Sequence, residues 1–184
     1  MSEGRWRPSP VPVDDADAFS RVLKDVYGDL YREVFADEPF VNHALPIQVR
    51  SFRITEGWGV CLLLTPWMLS RVFATATDPG IPVPKGWSAE ERADESPSVL
   101  GPMTTFSLLG AEQKAHLNYH PRLGHYLIHP LIQSMGEFDS ADSAFTAWRG
   151  VIERRDRFAR EQNRNCGWQA EVSRREFFTK LSGR

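Results

Sequence analysis

A chain of 184 residues, 41% hydrophobic and carrying 6 Trp, 4 Tyr and 11 Phe, has apolar material for one ordinary domain with a tail. A net charge of −2 argues against wholesale nucleic-acid binding, and no apolar run approaches the length that spans a bilayer. The charge is uneven: residues 149–184 hold ten Lys/Arg against five Asp/Glu, a net of +5, while residues 1–148 hold twelve against nineteen, a net of −7. An acidic body with a basic tail is the first usable asymmetry.

The first 13 residues are rich in Pro and Arg and read as a loose arm. They contain no apolar signal core, and Cys61 and Cys166 make no disulfide framework. The expected setting is therefore soluble, reducing and cytoplasmic. Asp14 or Asp15 can cap a helix whose apolar positions are Phe19, Val22, Val26, Leu30 and Val34, widened by Leu23, Tyr27 and Phe35.

Two strands follow, joined by a turn at Thr55-Glu56-Gly57. In the first, Ile47 and Val49 point one way and Phe52 and Ile54 the other. The phase changes around Arg50-Ser51, which predicts a bulge or a strand with both faces partly covered. The second, residues 58–65, is apolar almost without a break and suits a strand buried on both faces. It ends in Thr65-Pro66-Trp67-Met68-Leu69, where proline stops the ladder and large apolar side chains follow at the sheet's rim. Such a corner either plugs the core or grips a partner. Met beside Trp also suits a surface that takes up apolar peptides.

Residues 78–102 carry five prolines and a mixed-charge patch, a long loop that Trp87 can pin. Residues 103–109 read as a third strand, with Phe106 and Leu108 on one face. A polar connection containing His116 and His120 leads to a fourth strand, residues 122–131. There Leu123, His125, Leu127, His129 and Leu131 share one face, and Tyr126 and Ile128 share the other. Pro130 is expected to put this strand at an edge or to end it. Asp139 or Ser140 caps a second long helix with Ala144, Phe145, Trp148, Val151, Ile152 and Phe158 on one side. That helix turns basic beyond Ile152.

The predicted class is α+β: an antiparallel sheet with helices packed on one face, a long Pro-rich loop and a helical basic tail. The expected organisation is an arm at 1–13, one domain at 14–165 and a tail with a short helix at 166–184.

Chemistry is not signalled. There is no phosphate cradle, G-x-S-x-G, C-x-x-C or H-E-x-x-H, so no catalytic residue is assigned and an enzyme is not expected. His125 and His129 would lie about 13 Å apart at the rise of a strand, too far to share one ion. Neither Cys nor carboxylate stands beside them at ligand spacing. No metal and no cofactor are expected. The tail segment SRREFFTKL matches the twin-arginine export pattern closely, yet Ser173 and Glu176 also form a capping box with Phe177, Phe178 and Leu181 as an apolar side.

The block FRITEGWGVCLLLTPWMLSR (52–71) resembles the most recognisable motif of the HybE-type [NiFe]-hydrogenase assembly chaperones, a family that includes the HoxT and HupJ proteins. Gly101-Pro102-Met103-Thr104, Tyr126-Leu127-Ile128-His129-Pro130-Leu131 and the arginine pair near the C-terminus resemble it further. Two departures stand out: family members tend to have Ser where this chain has His129, and the stretch at 85–100 has no clear counterpart.

The resemblance implies a non-catalytic cytoplasmic maturation factor. Its expected partners are the hydrogenase small-subunit precursor and its twin-arginine leader, with other maturation proteins besides. The candidate partner-binding residues are then Thr65, Pro66, Trp67, Met68 and Leu69 of the corner, with Trp58, His129 and Pro130 from the matching blocks. Arg174, Arg175, Phe177 and Phe178 form a candidate regulatory tail that mimics the leader. Two other classes compete. One is a metal or iron–sulfur carrier of the same pathway using the histidines. The other is a nucleic-acid accessory acting through the arginines at 149–164, for which a solvated helix face is the simpler account.

Overall fold

In the computed structural model, which describes residues 4–95 and 99–157, the chain divides into two compact units, Met1–Ala144 and Phe145–Arg184. That division falls ahead of the 165/166 boundary expected from composition.

Asp15 caps α1 (Ala16–Leu30) by accepting a hydrogen bond from the Ala18 backbone N–H. Phe19, Leu23, Val26, Tyr27 and Leu30 form its buried stripe. The helix then widens into a π-helical turn at Tyr31–Phe35. This insertion rotates Val34 off the apolar stripe, and Val34 is exposed.

Strands β1 (Gln48–Thr55) and β2 (Trp58–Leu64) form a hairpin closed by Glu56 and Gly57, both at positive φ. That geometry matches strand twist and suits a glycine at the second turn position. Between Arg50 and Arg53 two residues of β1 oppose Cys61 alone, and Ser51 takes φ 56°. The predicted bulge is present. It reverses the alternation, so Ile47, Val49 and Phe52 all pack against the α1-side core.

The structure adds two strands that the hydrophobic pattern did not predict, β3 (Leu69–Thr75) and β5 (Ala111–His120). With β4 (Met103–Leu108) and β6 (Gly124–Ile132) they complete one six-stranded antiparallel sheet of order β1-β2-β3-β6-β5-β4. The predicted fold class holds: α+β with an antiparallel sheet. Pro130 is not on an edge strand, because β6 lies between β3 and β5. Its cross-strand neighbour is Ser70 of β3, and the β5 ladder has already ended at Ile128. The missing N–H therefore falls where β6 has only one partner strand.

Two apolar clusters lie on opposite faces. One joins α1 to Cys61, Leu63, Val72, Tyr126 and Ile128; Leu123 belongs here, not with His125. The other gathers Trp58, Val60, Phe73, Leu117 and Leu127 beneath Trp6, Ile81 and Val83. The long connection after β3 thus supplies core. It carries a one-turn helix, α2 (Ala89–Arg92), opened by a capping box between Ser88 and Glu91.

The arm is not loose over its described part. Gly4 donates to Val83 O (3.0 Å), Ser9 to Thr75 O (3.0 Å), and Arg7 N–H to His125 Nδ1 (2.7 Å). Trp6 is buried edge-on to Trp58. An indole and paired backbone groups hold a segment whose proline content had suggested mobility. Residues 141–157 are helical (α3), with Ser140 Oγ accepting from Ser143 N–H as the predicted cap. The expectations for Phe158, for the arginines at 160 and 164 and for the SRREFF tail lie outside the described residues.

Candidate functional site

The motif corner is a tight hairpin connection between β2 and β3. Thr65 N–H donates to Met68 O (2.9 Å), and the Thr65 hydroxyl accepts from Met68 N–H (3.1 Å). Pro66 supplies a turn-compatible φ, and its carbonyl accepts from Asn42 N–H (2.9 Å). The Asn42 side chain in turn donates to Met135 O and Phe138 O.

Thr65, Pro66, Trp67, Met68 and Leu69 are all buried. The rim expected to be open at Trp67 and Met68 is closed, at 5% and 2% exposure. What closes it is the aromatic ladder of α1 and the π turn. Trp67 stacks on Phe35 at 4.2 Å between ring centroids and lies near-parallel to Tyr31 and Tyr27. The ladder ends at the surface: Phe40 meets the Phe35 ring edge-to-face at 6.1 Å and is 59% exposed. Trp67 is therefore the floor of a small aromatic patch whose outer layers are Phe35 and then Phe40. The sequence concealed this patch because the helical period continues smoothly through Val34; the π insertion cannot be seen in the spacing.

The other candidates separate from this corner. Trp58 is buried on the opposite sheet face, in contact with Trp6 and Phe106. His129 and Pro130 are half-buried. His129 pairs across the ladder with Arg71, and burial first, then the Arg71 charge, lowers its pKa.

A cleft of about 120 Å³ is lined by Asp29, Glu33, Tyr119 and His120 with Tyr27 and Tyr126. On its floor the Tyr27 and Tyr126 hydroxyls bond each other at 3.2 Å, and burial raises both phenol pKa values. Asn118 Nδ2 donates to Tyr126 Oη (3.5 Å) and to Val99 O (2.7 Å). At its mouth Asp29 pairs with Arg32 and with Arg122, the latter at 3.5 Å. Burial lowers the pKa of His120 at the rim, with Arg122 adding to the effect.

His125 is buried with both ring nitrogens bonded: Nδ1 accepts from Arg7 N–H, which leaves Nε2–H to donate to Trp87 O (2.8 Å). It clamps the arm and the loop. Among the described residues no three His, Cys, Asp or Glu side chains come together as ligands for a metal, and no helix there is long and apolar enough to cross a membrane.

An antiparallel sheet backed by one long helix, with an aromatic ladder ending in the exposed Phe40 and a small cleft at Asp29 and Glu33, defines an α+β protein. The family model described as "[NiFe]-hydrogenase assembly, chaperone, HybE" matches residues 18–180. The chain belongs to this family of hydrogenase assembly chaperones. A solved structure titled "Solution Structure of HybE from Escherichia coli" is similar at 17% identity and a TM-score of 0.48, covering 83% of this chain and 81% of that one. A comparison with curated proteins finds no match.

Proposed function

We propose that this chain is a non-catalytic cytoplasmic chaperone that binds the small-subunit precursor of a [NiFe]-hydrogenase by its twin-arginine leader, before export. The observation that carries the reading is the exposed end of the aromatic ladder, where Phe35 lies over the buried Trp67 and meets the exposed ring of Phe40. A leader has a basic beginning and an apolar middle. The patch suits the second, and a body of net charge −7 attracts the first. Thr65, Pro66, Met68 and Leu69 serve this reading by holding Trp67 in place. His129 and Pro130 are candidates for a separate contact with the folded part of the client.

The test is co-purification of the tagged chain with small-subunit precursors, with and without leaders. Retention of the full precursor and loss of the leaderless one is expected; equal retention of both contradicts the reading. Phe40→Ser should lose the precursor while keeping the wild-type circular dichroism, since Phe40 is largely exposed. Residues 173–184 enter as a competitor with the composition of a leader, Arg174 and Arg175 ahead of Phe177 and Phe178. Their deletion should tighten leader binding, and unchanged or weaker binding sinks the competitor idea.

A further inference from the structure

The N-terminal arm meets the start of β6 at a residue that titrates. His125 holds Arg7 twice: its backbone N–H donates to Arg7 O (2.7 Å), and its ring Nδ1 accepts from Arg7 N–H (2.7 Å). Gly4 and Ser9 add one backbone bond each, to Val83 O and Thr75 O. We infer that residues 4–9 are a pH-sensitive strap. When His125 gains a proton the strap lifts from the sheet and uncovers Trp58, a candidate contact residue that the closed arm buries. The inference is independent of the leader-binding reading, since it concerns the opposite face of the sheet.

Observations on three separate residues support it. First, the bond at His125 Nδ1 leaves no place for a proton. In the neutral ring Nδ1 accepts, while Nε2–H donates to Trp87 O (2.8 Å). An imidazolium has two donors, so Nδ1–H would face Arg7 N–H, donor against donor, whereas the bond to Trp87 O persists. Acid therefore acts on the arm and spares the loop side of the clamp. Second, the closed strap carries an unpaired donor. Trp6 is buried against the rings of Trp58 and His125, yet its indole N–H has no acceptor among the described residues. Lifting the strap hydrates that N–H and so offsets part of the apolar burial lost. Third, Gly124 lets the arm lie on bare backbone. A Cβ there would stand 2.4 Å from Pro8 O and 2.7 Å from Arg7 O. Main chain meets main chain at that point, and no interlocked side chains resist lifting.

The groups that face His125 narrow the switch to its own ring. The arm brings Arg7, whose guanidinium pairs with Glu90 of α2 at 2.9 Å in an exposed position. From β5 comes the Tyr119 ring, 4.9 Å away between centroids. Burial first, and then the Arg7 charge, oppose protonation; the bond to Trp87 O and the Glu90 charge favour it. Glu90 is itself held below the usual carboxylate range, by its own backbone N–H first and then by Arg7. It stays ionised in mild acid, and an exposed pair of this kind adds little to closure.

The experiment follows amide hydrogen exchange of the full chain by NMR at pH 7.5 and 5.5, each rate divided by the intrinsic rate at that pH. Closure is complete above about pH 6.5, where the ring is neutral whether the strap is open or shut. Below that value the open form takes up the proton more readily, so the open fraction should rise by up to about tenfold by pH 5.5. Protection of the Arg7 and Ser9 amides should fall by that factor. Both should exchange well before an amide of the central strand β2, such as Leu63, because the strap lifts without the sheet. Glu90→Gln should keep the pH dependence, and His125→Asn, which offers an acceptor that does not titrate, should abolish it. Arm protection that is equal at the two pH values overturns the strap, as does a pH dependence that survives in His125→Asn. Arm amides as slow as Leu63 overturn it too, and that comparison needs wild type alone should His125→Asn fail to fold.

Discussion

Trp67 illustrates how a buried side chain can support a surface that it does not itself form. Its ring lies under Phe35 at 4.2 Å and is 5% exposed, so Trp67→Ala should cost about 3–5 kcal/mol, read as a lower urea midpoint. A change no larger than that of Phe40→Ser would contradict its place as floor of the patch. His125 makes a second prediction. Burial, only partly offset by its hydrogen bond to the Trp87 backbone, holds its pKa below the ordinary 6.5. A base depressed in the folded state takes up its proton more readily in the unfolded chain. Its contribution is therefore complete above about pH 6.5 and is lost as pH falls below that value toward the folded pKa. His120 and His129 shift in the same direction. The urea midpoint should fall between pH 7.5 and 5.5, and nitrogen chemical shifts should show His125 as the Nε2–H tautomer. Cys61, whose thiol burial pushes up to about 12, should escape alkylation until the chain is unfolded.

Elements were legible where their period was clean. Asp15 as cap, the buried stripe of α1, the bulge near Ser51 and β2, buried along all but Leu62, could be read from the residues. β3 was hidden because the Thr65-Met68 corner looked like a terminus, whereas Pro66 and Trp67 make a turn that returns the chain at once. β5 was hidden because its outer half is polar and its buried members include Asn118, held by bonds to Gly101 N and Val99 O that only the fold supplies. The same crossing explains Gly101 of the Gly-Pro-Met block. A Cβ there would lie 1.9 Å from Leu117 O and 2.5 Å from the Trp87 ring. Gly101→Ala should therefore lower the thermal midpoint by the equivalent of about 1–3 kcal/mol; an unchanged midpoint would mean that the Trp87 contact is not held. The patch itself was illegible, since a π turn inserts a residue without altering composition.

At the scale of the molecule, one sheet face is closed by α1 and the other by the arm and the Pro-rich connection. The end of α1 and the π turn carry Asp29 and Glu33 at a small cleft, and Phe35 of the turn meets the exposed ring of Phe40 beyond it. Attraction between the acidic body and an arginine-bearing leader should weaken as salt shortens the Debye length, so the leader's affinity should drop between 50 mM and 500 mM NaCl. An affinity independent of salt would leave the apolar patch to act without the acidic body. The most direct test of the whole account is a hydrogen-exchange footprint of the chain with and without a leader peptide. Slowed exchange concentrated in residues 26–43, with the strands of the sheet unchanged, is the predicted result; protection confined to other segments, or none at saturating peptide, would contradict it.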